Sequence, residues 1–241
     1  MARALPGAVR PSPIHALLAL DLIAISAFLA LHLAGRSTGH RAQWLMLNVD
    51  HSLPEFLLYG KWLAVALLLV WAFRRDSGAV WVALAVTFLV ILADDAFRIH
   101  EREGLALAER WELSAAFGLR ARDIGELLVW AALGLIVLAS IAAGLWRSTP
   151  EQRKAARPLL LTLVALVVAG VGVDMLHSAV SGALLGHPLK QPVAVLMILL
   201  EDGSELLLGT LAVWLAMRRA GLENGSGYGM PATPTALAKV R

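Results

Sequence analysis

Residues 79–97 read AVWVALAVTFLVILADDAF, nineteen positions with no charge until two adjacent aspartates near the end. A helix rises about 1.5 Å per residue, so this stretch covers nearly the ~30 Å hydrocarbon core of a bilayer. It predicts a membrane span with Asp94 and Asp95 close to its far end. A carboxylate at mid-span costs roughly 2.5–3.5 kcal/mol, so such residues face protein and serve a function.

Working outward, five further segments have the length and apolarity of spans: 14–34, 55–73, 127–147, 159–181 and 193–217. The fold class is therefore all-α, a polytopic integral membrane bundle of six helices. Hydrophobic residues make up 59% of the chain, against the 45–50% of ordinary globular domains. Cysteine is absent, which removes disulfides, thiolate nucleophiles and Cys-ligated metal. The net charge of +3 comes from short clusters beside apolar segments, such as Arg74–Arg75 and Arg218–Arg219. That distribution marks membrane sidedness and argues against nucleic acid as a partner.

The apolar run from Ile14 to Ala34 exceeds the 7–15 residues of a signal-peptide core, so it reads as a retained first span. With both termini cytoplasmic, inside segments carry twelve Lys/Arg and outside segments eight. The chain reads as a cytoplasmic segment over 1–13, a transmembrane domain over 14–219 and a flexible cytoplasmic tail over 220–241. A cell membrane, as in a bacterial inner membrane, is its setting. Arg74-Arg75-Asp76-Ser77-Gly78 makes the second and third spans antiparallel neighbours, and a short surface helix is expected within 103–119. Trp71, Trp81, Trp130, Trp146 and Trp214 fall near span ends, where indoles favour the interface. Residues 89–96 align weakly with 196–203, as an inverted three-plus-three repeat would.

Depth along the helices gathers the polar residues. Asp94, Asp95 and Asp174 lie about 22 Å up their spans, His177 about 27 Å, and Glu201, Asp202 and Glu205 roughly 12–18 Å below the outer boundary. His32, Asp123 and Glu126 belong to the same outer end. Asp94, Arg98 and Glu101 share helical spacing, as do Asp174, His177 and Ser178, and Glu201 with Glu205. Carboxylates with imidazole and no thiolate suit a divalent metal ion, Zn, Mn or Fe. Asp94, Asp95, Asp174, His177, Glu201 and Asp202 are the candidate ligands, Glu205 and Glu101 the candidate general bases, and Arg98, His100 and His32 supporting groups. No H-E-x-x-H, Gly-x-Ser-x-Gly, P-loop or dinucleotide fingerprint occurs.

Three functions compete: a metal-dependent membrane hydrolase acting on a lipid or other amphipathic substrate, a cation- or proton-coupled transporter, and a non-catalytic membrane subunit. Membrane lipids are the expected partners, with further copies or partner membrane subunits as the protein neighbours. Lys61 is expected to snorkel to the interface, Asp21 to be satisfied by a neighbouring helix, and Gly170-x-Gly172 to permit close helix packing.

Overall fold

A computed structural model of the protein describes residues 12–35 and 39–222. Among these the chain is helical, with no β-strand beyond an isolated bridge between Ala116 and Leu119. The helices are α1 (Pro13–Leu33), α2 (His40–Gln43), α3 (Leu53–Asp76), α4 (Ala79–Phe97), α5 (Ile99–Arg110), α6 (Ala121–Trp146) and α7 (Pro150–Val167). A π-helical turn, π1 (Val168–Val173), joins α7 to α8 (Asp174–Ala183). A second, π2 (Leu199–Gly203), joins α9 (Lys190–Ile198) to α10 (Ser204–Ala220).

Five helical rods are long and apolar enough to cross a membrane: α1, α3, α4, α6 and the composite Pro150–Ala183. The α9–π2–α10 rod, which carries Glu201, Asp202 and Glu205, is not among the five. The tail expected over 220–241 lies, from residue 223 on, outside the described residues, as do residues 1–11 of the N-terminal segment.

α3 and α4 pack as the antiparallel pair expected from the 74–78 turn, where Ser77 takes a left-handed conformation. α10 packs along α3 and α7, α6 along α4, and α1 along α10. Trp62, Val65, Leu69, Val80, Leu84, Phe88, Leu159, Leu206 and Val213 fill the core. Leu67, Leu135, Leu138 and Leu161 stand 62–69% exposed on the outside, as lipid-facing residues would.

At one end, Arg219 pairs with Asp76 and lies 4.4 Å over the Trp81 ring, while Arg75 donates to the Ala220 carbonyl. Trp81 is fully buried and gives its indole N–H to Asp76 at 2.8 Å, so it is a core residue, not the interfacial one expected. The short surface helix expected within 103–119 is instead α5, which starts earlier and packs on α6. Its Gly104 sits so close to α6 that a Cβ there would lie 2.6 Å from the Glu126 backbone nitrogen. The 89–96 and 196–203 segments differ locally: the first is α-helical, whereas the second passes into π2.

Lys61 does not snorkel. It is 2% exposed, pairs with Asp21 and donates to the Leu206 carbonyl at 2.8 Å. The second Asp21 oxygen accepts from Thr210 at 2.6 Å. A counter-ion forty residues upstream makes burial cheaper than reaching for the interface. Lys61→Met would strand the Asp21 charge, and removing one partner of a buried pair costs about 3–5 kcal/mol. Reversible denaturation in mixed micelles should show a loss of that size, largely recovered in Asp21→Leu with Lys61→Met. Equal losses in the single and double variants would show that the pair does not act as a unit.

Candidate functional site

Two departures from regular α-helix bring the polar residues of the other end together. The first is at Arg98, which adopts φ 52°, ψ 46° between α4 and α5. This left-handed conformation costs a non-glycine residue roughly 1–2 kcal/mol. Contacts on both sides offset it: Arg98 meets Asp50 at 2.8 Å and grips Glu101 through two nitrogens. The break overturns the single stripe expected of Asp94, Arg98 and Glu101. It folds α5 back so that Asp94 accepts from both the His100 backbone N–H and the His100 Nδ1, each at 2.9 Å.

The second departure is the pair of π-turns, which pack against each other. A π-turn wraps extra residues into one turn and frees backbone carbonyls, and such turns recur at functional sites. Here the Ser204 hydroxyl serves the carbonyls of Leu200 and Glu201. Asp174 immediately follows π1, Glu201 and Asp202 lie within π2, and Glu205 comes two residues after it. Gly170 of π1 faces the Glu205 carboxylate, and a Cβ there would overlap it. Gly170 therefore makes room for Glu205, whereas Gly172 faces open space.

Between these features lies a cavity of about 330 Å³ lined by Asp95, Arg98, His100, Glu101, Asp174, His177, Glu201, Asp202 and Glu205. Asp50, Glu55 and Tyr59, from the start of α3 and the loop before it, complete its wall. A second cavity, about 270 Å³, shares Asp95, His100, Glu101, Asp174, Glu201 and Glu205 and adds Arg120, Arg122 and Glu126. Asp94 lines neither, being 1% exposed beneath His100. His32 also lines neither: its Nδ1 meets the Phe28 carbonyl at 3.2 Å and its ring lies tilted against Phe28, with centroids 4.4 Å apart.

The acids of this end divide into two groups. Most are neutralised or hydrogen-bonded locally. Asp95 accepts from the Trp62 indole at 3.1 Å, Glu101 from Arg122 at 2.6 Å, and Glu126 from the same guanidinium at 2.6 Å. Asp123 caps α6, pairs with Arg120 at 2.7 Å and accepts from Ser178 of α8. Glu55 accepts from the Tyr59 hydroxyl, and Glu201 lies 3.4 Å from His177 Nδ1. Asp174, Asp202 and Glu205 have no hydrogen-bond or ion-pair partner among the described residues. Their oxygens are not sealed in protein either, so they face cavity space. Among the described residues no three His, Asp or Glu side chains converge closely enough to enclose a metal ion.

Outside the apolar spans, His100 and Glu101 of α5 are displaced from their ordinary titration. Burial disfavours the His100 imidazolium, but the Asp94 hydrogen bond and charge, with Glu101 and Asp95 behind them, outweigh it and raise its pKa. Burial likewise disfavours the Glu101 carboxylate, but Arg98, His100 and Arg122 overcome it and hold the pKa down.

Asp50, Glu55 and Tyr59 escaped sequence reading, although Ser52-Leu53-Pro54-Glu55 carries a capping signature. Ser52 indeed accepts from the Glu55 N–H at 3.4 Å. The paired π-turns left no signal except the glycine at 170.

Residues 15–220 match the model of a family described as a domain of unknown function (DUF8692), and the chain belongs to that family. No curated protein and no solved structure matches it.

Asp94→Asn removes the chief cause that raises the His100 pKa and leaves burial, which lowers it. The His100 titration, followed by NMR of histidine-labelled protein, should move to lower pH. An unmoved titration would mean that Asp94 does not charge-pair with His100 in solution.

Proposed function

We propose that this chain is a six-span membrane protein, both termini cytoplasmic, whose outer-end cavity binds a divalent cation. In this reading it works as a membrane-embedded enzyme of hydrolase type on a lipid or other amphipathic substrate. The observation that carries the reading is the division of the acids. Structural carboxylates at this end are each given a donor, and Asp174, Asp202 and Glu205 are left with none while facing one cavity. Three such groups in a site of low dielectric repel one another unless protons or a cation intervene. The α9–π2–α10 rod counts as the sixth span here, its acids turned to the cavity and its apolar remainder packed on α3 and α7.

The spacing of the side chains favours a cation that keeps part of its hydration. No ready trio encloses an ion among the described residues, and hard divalent ions are held by one or two carboxylates with waters completing the shell. That moves the expectation from Zn toward Mg, Ca or Mn. When bound, such an ion supplies Lewis acidity and an activated water. Of the two candidate bases, Glu101 is engaged by Arg98 and Arg122 and its pKa is held down. Glu205, with free oxygens beside Gly170, is the better proton acceptor. Its part would be to take the proton of the water that attacks the substrate's ester-type bond and to pass it to the alcohol oxygen as that bond breaks, giving acid and alcohol.

Transport requires polar continuity inward. Beyond Glu205 the next polar group is the saturated Lys61–Asp21–Thr210 set, and past it come Val65, Leu69, Leu84 and Val213. The apolar core beyond that set supports chemistry or binding over passage.

The test compares metal content and cation-dependent thermal stability of detergent-purified wild type with Asp174→Asn/Glu205→Gln. Wild type should retain near-stoichiometric divalent ion or gain about 2.7 kcal/mol at a hundredfold excess over Kd. The double variant should be more stable than ion-free wild type and unresponsive to the ion. No bound metal and no stabilisation of wild type by Mg, Ca, Mn or Zn would sink the proposal.

A further inference from the structure

We propose that a lateral portal lies between the 116–119 turn and α8, through which the polar head of a bilayer phospholipid enters while its tails stay in the membrane. The inference rests on the amphipathic-substrate reading above and names its partner and its route. Its basis is a third cavity, about 460 Å³, larger than the two already described. One wall is the face of α8 that carries Asp174, His177, Ser178 and Ser181, and the other is Gly118 with Arg120. Asp174 lines all three cavities, His177 also lines the first and Arg120 the second, so this space adjoins that of the acids.

The rim is apolar. The 116–119 turn is closed by two backbone hydrogen bonds between Ala116 and Leu119, at 3.1 and 2.9 Å. It rests on α8, where a Cβ on Gly118 would lie 3.6 Å from that of Ala179. Phe117 takes the first central position at φ 56°, a conformation that bulky residues rarely adopt, and it is 98% exposed. Nothing among the described residues covers that ring, so whatever offsets its conformation lies outside the chain. Across the mouth Leu185 lines the cavity and is 78% exposed. An apolar rim around a polar interior matches a lipid better than a ligand arriving from water.

Position along the span decides which part of the lipid meets that mouth. α8 ends the composite rod Pro150–Ala183, one of the five long and apolar enough to cross a membrane. Ser178 and Ser181 fall in its final turns, at the level of lipid head groups. Leu176, next to His177 in sequence but turned outward, is 51% exposed and continues the lipid-facing surface of Leu161 up to the mouth. Arg120 pairs with Asp123 yet keeps most of its side chain exposed, which brings positive charge to the place a phosphodiester would occupy.

The chain has no cysteine, so Ser181→Cys gives a single site for a bimane label, read on the full-length protein in phosphatidylcholine vesicles. A nitroxide on the lipid head should quench that label more strongly than one halfway down the tail. The order should reverse at Leu135→Cys, on the exposed side of α6. Gly182→Leu adds a side chain into the cavity, its Cβ meeting nothing nearer than the Gly118 carbonyl oxygen at 3.9 Å, and should remove most of the head-group quenching at Ser181→Cys. If labelled Ser181→Cys does not fold, Leu185→Cys at the rim reports in its place. Quenching by aqueous iodide with none from either lipid overturns the portal, and so does head-group quenching that Gly182→Leu leaves unchanged. The pattern should be the same in metal-free protein. A chain that binds no metal but shows it loses the cation reading and keeps the portal, and a metal-bound chain without it loses the portal alone.

Discussion

A carboxylate carried into an apolar helix must find a donor, a proton or a cation, and the bundle meets this requirement in two ways. Near the middle, Asp21 is closed off completely by Lys61 and Thr210, and the Lys61 ammonium also takes up the Leu206 carbonyl. That set ties α1, which otherwise offers little to the core besides Phe28, to α3 and α10. At the acidic end the requirement is met only in part. Arg122 ties α6 to α5 through Glu101 while holding Glu126, Arg98 grips Glu101 from the turn before α5, and Arg120 pairs with Asp123 at the start of α6. Within that frame three acids remain open.

The π-turns show how a helix can carry those acids. A continuous α-helix advances each residue by about 100°, so Glu201 and Asp202 would point to different neighbours. In π2 the turn is widened, and Glu201, Asp202 and Glu205 all reach the same cavity. The cost is poorer backbone hydrogen bonding, which Ser204 offsets locally. π1 packs directly opposite, and its glycine at 170 leaves the volume that Glu205 fills. Two unfavourable turns placed face to face around carboxyl groups without partners are hard to account for by packing alone.

Much of the helical framework was legible because hydropathy reports what a bilayer demands. The 79–97 reading matches α4 end to end. It falls short where helix and apolar run part company: α6 begins at Ala121 and not 127, because Asp123 caps its first turn. Similarly α7 starts at Pro150 and not 159, behind a Thr149–Gln152 capping box on charged sequence. The acidic layer was legible by depth. The partners of its members were not, since Lys61 is answered by Asp21 and Asp95 by Trp62, pairings that no local spacing encodes. Arg98 in a left-handed conformation has no sequence mark at all, and it turned a supposed single stripe into two helices.

The adjacent aspartates illustrate why proximity in sequence misleads about chemistry. Asp94 and Asp95 look like a paired ligand set, yet successive helical residues diverge by about 100°. Asp95 turns toward α3, where the Trp62 indole meets it at the cavity wall. Asp94 turns under α5 and is consumed by His100. Both of its oxygens are spent on His100, one on the backbone N–H and one on the ring, so it reaches the cavity only through that residue. What reads as a two-oxygen motif is, in space, one oxygen donor at the wall and one ring nitrogen held in place from behind.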